Sequence, residues 1–301
     1  MKKVLVITGP TASGKSALAL EAAKRLNGEI ISCDAMQIYK GMDIGTAKPT
    51  KDELASVPHH MIDVVDPETP YSCADFAAQG KKSADDILSR GKLPILCGGT
   101  GLYIDSLLGA NVYSPPVPEG LREELSALSP DQLYEQLCKY DPESAEKIHK
   151  NNVKRVERAL EIFLGTGITK TEWDRRSKEY EKPYDPIFAI LAFRDRSKIY
   201  ERTDKRVDIM IESGLEKELR SLDLKRDLTS AQGIGYKEMY RYIDGLITFD
   251  EAVEEIKKNT RNYVKRQETW FKRYPDAARF YCDEDSFENI LNNLVKMVKN
   301  S

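Results

Sequence analysis

Cysteine and histidine are scarce, at five and three in 301 residues. Cys33, Cys73, Cys97, Cys138 and Cys282 are scattered, with no C-x-x-C pair and no histidine at zinc spacing, so reduced thiols and no protein-held metal cluster are expected. His59-His60 has no third ligand nearby and reads as a loop or a strand start. No apolar run approaches the ~20 residues of a membrane span, so no membrane association is expected. Only Met1, Lys2 and Lys3 precede the first apolar run, too few for a signal peptide, and a cytoplasmic protein follows as the expectation. A formal charge of −3 excludes a chain-wide polybasic character, which leaves local clustering as the guide to any nucleic-acid partner. Repeats and low-complexity tracts are also missing.

What is present begins with VLVITGPTASGKS, Val4 to Ser16, an apolar strand running into G-x-x-x-x-G-K-S. In such a loop the amides from Gly9, Pro10 (through its neighbours), Thr11, Ala12, Ser13 and Gly14 onward wrap phosphate oxygens at a helix start. Lys15 reaches an outer phosphate, and the Ser16 hydroxyl ligates Mg²⁺. A helix-like pattern, Ala17, Leu18, Leu20, Ala23 and Leu26, follows. The motif points to a diphosphate or triphosphate without saying which molecule carries it.

With 41% apolar residues the chain can bury a full core. Strands are expected at Val4–Thr8, Glu29–Asp34, His60–Val65, Leu93–Gly98 and Ile187–Phe193. Helical patterns between them predict an α/β fold with a parallel sheet flanked by helices. Between the fourth and fifth strands, proline-rich Asn111–Pro118 and Lys182–Pro186 bracket an all-helical insertion. Inside it, Ser129-Pro130 reads as N-cap and first helical position. Asn152 is expected to cap a helix carrying Val153, Val156, Leu160 and Phe163, stopped by Gly165. The expected division is a P-loop core of 1–113 and 187–301 around an insertion of 114–186, with helices alone after Phe193.

Asp34 ends the second strand and faces the phosphate crevice of a P-loop fold, although a helix cap would also explain it. Asp43–Pro49 is a polar, glycine-containing loop of the kind that lines sites. Gly98-Gly99-Thr100-Gly101 ends the fourth strand; its glycines suit either a close ligand or a tight turn, and Thr100 offers a hydroxyl. No aspartate ends that strand, where many P-loop NTPases hold Mg²⁺; Asp66 is a weaker substitute. Lys154, Arg155 and Arg158 share one helical flank, and Lys258, Arg261, Lys265 and Lys272 another. Either set is a solvated face or a phosphate-contacting patch. Arg202 and Arg206, four apart, put one guanidinium within reach of the crevice.

Six blocks together resemble the bacterial tRNA dimethylallyltransferases over nearly the whole chain. They are GPTASGKS (9–16), SCDAMQIYKGMDIGTAKP (32–49), GGTGLY (98–103), KRVERALEIF (154–163), QGIGYKE (232–238) and KRQETWFKR (265–273). The resemblance implies a P-loop NTPase-like core with a helical insertion that binds the anticodon stem-loop. It implies transfer of a dimethylallyl group from its diphosphate to the exocyclic amine of adenosine 37 of tRNA, with Mg²⁺ as cofactor and a monomer as the expected state. Asp34 then matches the general base, with Ala35, Met36 and Gln37 completing its tRNA-contacting segment. Thr100 matches the position near the reacting phosphate, and Arg206 the pyrophosphate-binding arginine. Segments meeting tRNA would be Arg122; Lys154, Arg155, Val156, Glu157 and Arg158; Gln232, Gly233, Ile234, Gly235, Tyr236 and Lys237; and Lys265, Arg266, Gln267, Glu268, Thr269, Trp270, Phe271 and Lys272.

Three other functions share parts of this pattern. An adenylate isopentenyltransferase would use the P-loop and base on free nucleotide, without needing the insertion or the basic helix. A small-molecule kinase would need only the P-loop and sheet. A non-catalytic RNA-binding protein would have no use for intact Lys15, Ser16, Asp34 and Thr100.

Overall fold

The computed structural model describes residues 2–109, 118, 120–179 and 182–301. The chain divides into two compact units, one of 1–108 with 184–301 and one of 109–183. The sheet unit begins β1 (Lys3–Thr8), α1 (Lys15–Leu26), β2 (Gly28–Ser32), α2 (Lys51–Ser56), β3 (His59–His60), α3 (Cys73–Ser89), β4 (Leu93–Gly98), α4 (Gly101–Leu107). The helical unit holds α5 (Leu121–Ser126), α6 (Pro130–Tyr140), α7 (Pro142–Lys147), α8 (Val153–Thr166) and α9 (Lys170–Glu179). The sheet unit resumes with β5 (Asp185–Ala192), α10 (Arg196–Glu212), α11 (Leu215–Leu222), a 3-10 turn (Ser230–Gln232), α12 (Tyr236–Ile243), α13 (Phe249–Phe271), β6 (Ala278–Tyr281) and α14 (Phe287–Asn300).

The six strands are all parallel, in the order β3-β2-β4-β1-β5-β6. Side chains along β1 alternate between two cores, as a period of two dictates. Val4 and Val6 enter one core with Ile31, Leu96 and Val207. Leu5 and Ile7 enter the other, against Leu18, Ala19 and Ala22 of α1 and Ile290, Leu291 and Leu294 of α14. Each such aliphatic side chain, fully buried, contributes roughly 1.5–3 kcal/mol. Because β2 and β1 lie on either side of β4, the crossover from β1 to β2 opens a crevice at their carboxyl ends. At the opposite end of β2, buried Glu29 is held ionised by Arg90 and Lys92, with His60 beside it; the Arg90 hydrogen bond is the main reason its carboxyl sits far below the ordinary range.

Four strand expectations are corrected. The second strand, expected over Glu29–Asp34, runs Gly28–Ser32, so Asp34 lies in the turn just beyond it. The strand expected over His60–Val65 is two residues long, because Met61 and Asp63 both take positive φ, at 64° and 54°, and break the extended run. A sixth strand, β6, pairs with β5 where only helices were expected. The fifth strand starts at Asp185, two residues before the expected Ile187. Of the proline-rich exit only Pro118 is described, and the expected 113/114 boundary lies outside the described residues.

In the helical unit, Ser129 caps α6 with a full capping box to Gln132, and Pro130 takes the first helical position. Asn152 stands at the N-cap of α8 but makes no side-chain cap. The stop there is Gly167, left-handed at φ 72°, while Gly165 lies inside the helix against Pro118. Leu125, Leu133, Leu137, Val156, Ala159 and Leu160 form this unit's own core.

Candidate active site

The phosphate loop turns out of β1 at Gly9, where a Cβ would stand 2.6 Å from the carbonyl oxygen of Leu191. Ala12 and Gly14 then take left-handed backbone, at φ 62° and 94°. No side chain caps α1 and no acidic residue stands in its first turn, so its amino end keeps its partial positive charge for an anion. The Ser13 hydroxyl is buried with no hydrogen-bond partner among the described residues, a donor available inside the loop. A cleft of about 550 Å³ lies against it, lined by Ala12, Gly14, Lys15 and Ser16 and, from α10, by Arg202, Lys205 and Arg206. Arg202 donates to the Ala12 carbonyl at 2.8 Å and so braces the loop.

Lys15 donates to the Pro10 carbonyl at 3.2 Å. Burial is the main cause that lowers its pKa to about 8, with Arg206 adding to the fall while Asp34 opposes it. The charged form that an anion needs is therefore lost as pH rises through about 8. For a diphosphate substrate, kcat/KM should fall about tenfold per pH unit above that point, since this ratio reports the free enzyme. The same profile in Lys15→Gln should lose the break; a wild-type profile flat to higher pH would remove Lys15 from that role.

A second cavity, of about 290 Å³, also uses Arg206 as a wall. It is lined by Asp34, Ala35, Met36 and Thr100, by Gln232, Gly233 and Ile234, by apolar Val207, Met210 and Ile256, and by Tyr263 and Arg266. Asp34 is no helix cap. Its Oδ1 accepts the Met36 amide at 2.9 Å in a local turn, and among the described residues no hydrogen bond occupies Oδ2. Thr100 Oγ1 accepts the Ala35 amide at 3.2 Å, and the Thr100 amide donates to the Cys33 carbonyl at 3.2 Å, locking the β4 end to the β2 end. Burial lowers the Arg206 guanidinium from its ordinary value, opposed by Asp34; it stays a cation.

The glycines of 98–101 are explained by packing. A Cβ on Gly98 would stand 2.1 Å from the Cys33 carbonyl oxygen, one on Gly99 2.1 Å from Gln267 Nε2, and one on Gly101 2.2 Å from the Trp270 ring. Gln267 is buried and bridges the two loops: Oε1 accepts the Thr11 amide at 2.8 Å and Nε2 donates to the Gly99 carbonyl at 3.1 Å.

Not every predicted contact faces solvent. Val156 sits in the helical unit's core, and Tyr236, Gln267 and Phe271 are buried in the sheet unit. Their side chains serve packing or internal hydrogen bonds, as expected when only part of each helical turn can face outward. Gln37 joins Ser32 to the carbonyls of Thr46 and Ala47. Arg122 and Arg158 both bind Glu161. Lys237 lies 3.5 Å from Glu238, and the Gly235 amide donates to the same carboxylate. Glu268 pairs with Arg196, and Glu157 and Trp270 are half-buried. Lys154, Arg155, Lys265, Arg266, Thr269 and Lys272 are exposed. Arg261, grouped with the exposed stripe by spacing, is instead paired with Asp204 at 2.6 Å. Asp66 pairs with Lys40 at the surface and lines neither cavity.

Tyr263 is not among the residues expected at the site from the sequence, yet it lines the Asp34 cavity. Its hydroxyl lies beside Thr100 and Gly99, and burial pushes its pKa up to about 12. The available signal was the four-residue spacing that puts Tyr263 and Gln267 on one helix face.

For a divalent ion the fit rests on oxygen chemistry. Among the described residues no three His, Cys, Asp or Glu side chains cluster as ligands. Ser16 lends one hard hydroxyl to the cleft, and the cations around it require an anionic ligand. Mg²⁺ accepts that arrangement, since it commonly keeps waters and binds through few protein groups plus substrate phosphates.

A P-loop α/β protein whose phosphate cleft adjoins a carboxylate-bearing cavity is therefore the class that fold and site define. The IPP transferase family model matches residues 37–274, and the isopentenyl transferase model residues 2–64. A tRNA dimethylallyltransferase of Anoxybacillus flavithermus is 45% identical over 302 residues, covering 99% of this chain and 96% of that one. The solved tRNA delta(2)-isopentenylpyrophosphate transferase of Staphylococcus epidermidis is similar at TM-score 0.74 and 40% identity, covering 100% of this chain and 99% of that one. A eukaryotic dimethylallyltransferase solved acting on tRNA is similar at TM-score 0.86 and 30% identity, covering 100% and 80%. The chain belongs to the IPP transferase family. No helix among its described residues is long and apolar enough to cross a membrane.

Proposed function

We propose that the protein transfers a dimethylallyl group from dimethylallyl diphosphate to the exocyclic amine of adenosine 37 in tRNA, releasing pyrophosphate, and that it works as a cytoplasmic monomer. The observation that carries this reading is the sharing of Arg206 between a cationic phosphate cleft and a cavity bearing Asp34 and Thr100. The diphosphate lies in the first, and the flipped adenine enters the second at a few kcal/mol of unstacking cost.

The amine lone pair is delocalised into the adenine ring. Asp34 accepts the amine proton as the new N–C bond forms, and the C–O bond to the diphosphate breaks. Lys15, Arg206, the loop amides and the Ser13 hydroxyl match the charge that develops on the departing pyrophosphate. Ser16 would hold Mg²⁺, which supplies further neutralisation of the diphosphate. Thr100 keeps the Asp34 turn in place through Ala35. No nucleotide is hydrolysed, consistent with β4 ending in glycines where a kinase or ATPase would often place a carboxylate.

Exposed Lys154 and Arg155 of the helical unit and Lys265 and Lys272 of α13 meet the phosphates of the anticodon stem-loop. Reversing the charge at Lys154, Arg155 and Lys265 should weaken tRNA binding on the order of 10²-fold and flatten its salt dependence by about two to three counterions. Unchanged affinity and salt slope would remove these side chains from the interface. The reaction itself is tested with radiolabelled dimethylallyl diphosphate offered in parallel to unmodified tRNA and to AMP, ADP and ATP. Label in tRNA alone is expected; label in free nucleotide would overturn the acceptor assignment.

A further inference from the structure

The loop 43–49 touches both cavities. Gly45 and Thr46 line the one that holds Asp34, and Ala47, Lys48 and Pro49 line the phosphate cleft. Such a loop must find partners for its own amides. Three consecutive ones converge on a single carboxylate of α11: the Asp43 and Ile44 amides donate to Glu218 Oε2 at 2.8 and 2.7 Å, and the Gly45 amide to Oε1 at 3.2 Å. The Tyr236 hydroxyl donates to the same Oε1 at 2.7 Å. Successive amides curled around an anion form a nest, and here the anion is a side chain from a distant part of the chain.

The buried Tyr236 ring lies directly under Gly45, where a Cβ would approach its Cε2 to 2.5 Å. Tyr236 also closes the segment whose Gln232, Gly233 and Ile234 form another wall of the same cavity. One carboxylate therefore ties two walls of the Asp34 cavity together while lining neither cavity itself.

We propose that Glu218 is a positioning residue that sets the shape of the acceptor cavity by holding loop 43–49 against Tyr236. The assignment of that cavity to the acceptor rests on the function proposed above. Glu218→Ala should lower kcat/KM for tRNA by about 30-fold or more, with KM for dimethylallyl diphosphate within about threefold, since a misplacement near 1 Å can cost 10²-fold in rate. Excess formate should enter the vacated nest and recover about tenfold of the loss, with no effect on the wild type. Tyr236→Phe keeps the three amide bonds and should lose only about three- to fivefold.

The readout independent of catalysis is amide hydrogen exchange at residues 43–45, expected to be slow in the wild type, fast in Glu218→Ala, and slowed again by formate. Exchange unchanged by the substitution, or activity within about threefold of wild type, would overturn the proposal. If Glu218→Ala fails to fold, slow exchange at 43–45 in the wild type and its acceleration in Glu218→Gln, whose side-chain NH2 cannot accept an amide hydrogen bond, decide the matter, and their absence overturns it. A wild type inactive on tRNA whose 43–45 amides still respond to Glu218→Ala and formate would sink the acceptor assignment and leave the latch standing.

Discussion

Replacing Asp34 by alanine is expected to lower turnover by about 10²- to 10⁴-fold, the range general-base assistance supplies, while tRNA affinity should stay nearly unchanged. The geometry separates two roles of this carboxylate. Oδ1 accepts the Met36 amide and shapes the turn at the β2 end, and no hydrogen bond among the described residues occupies Oδ2 of this cavity-lining residue. Asp34→Asn keeps an oxygen for Met36 but gives up the proton acceptor, so it should fall almost as far as Asp34→Ala. Turnover of Asp34→Asn near that of the wild type would assign Asp34 to loop shape alone. Affinity measured by filter binding completes the test, because an anchor would lose binding and a base loses turnover.

Arg206→Ala should lower kcat about 10²- to 10³-fold, as removal of a charge-stabilising donor does, and weaken binding of the diphosphate. Arg206 projects from α10 to the boundary of both cavities, and burial strengthens its field on a leaving group. Arg202, four residues earlier, also lines the phosphate cleft but is committed to the Ala12 carbonyl. Arg206→Lys should restore only part of the loss, because a point charge cannot reproduce the planar fork. Equal kcat in Arg206→Ala and wild type, with a thermal midpoint unchanged, would contradict the assignment.

The phosphate loop was legible because everything it needs is contiguous, from the apolar strand through Gly9 to Ser16. Asp34 and Thr100 were legible as residues at strand ends, where parallel sheets present their ligands. What sequence blocks obscured was helical phase. Val156, Gln267 and Phe271 lie in segments carried over whole, yet Val156 and Phe271 face a core and Gln267 is buried between two loops, as the apolar period of Val153, Val156 and Leu160 already indicates for the first of them. The β6 strand, ARFY, is four half-buried residues, and its pairing with β5 is a long-range fact with no local signature. The same holds for Glu218, whose partners at 43–45 no local pattern connects to α11.

The most direct test of the account is the stoichiometry and position of transfer in one experiment. Unmodified tRNA, dimethylallyl diphosphate and Mg²⁺ are incubated with the protein, released pyrophosphate is counted, and the tRNA is mapped nucleoside by nucleoside. The account predicts one pyrophosphate per dimethylallyl-adenosine, all of it at position 37, with no ATP required. Pyrophosphate released without modified adenosine, or modification at another position, would contradict it.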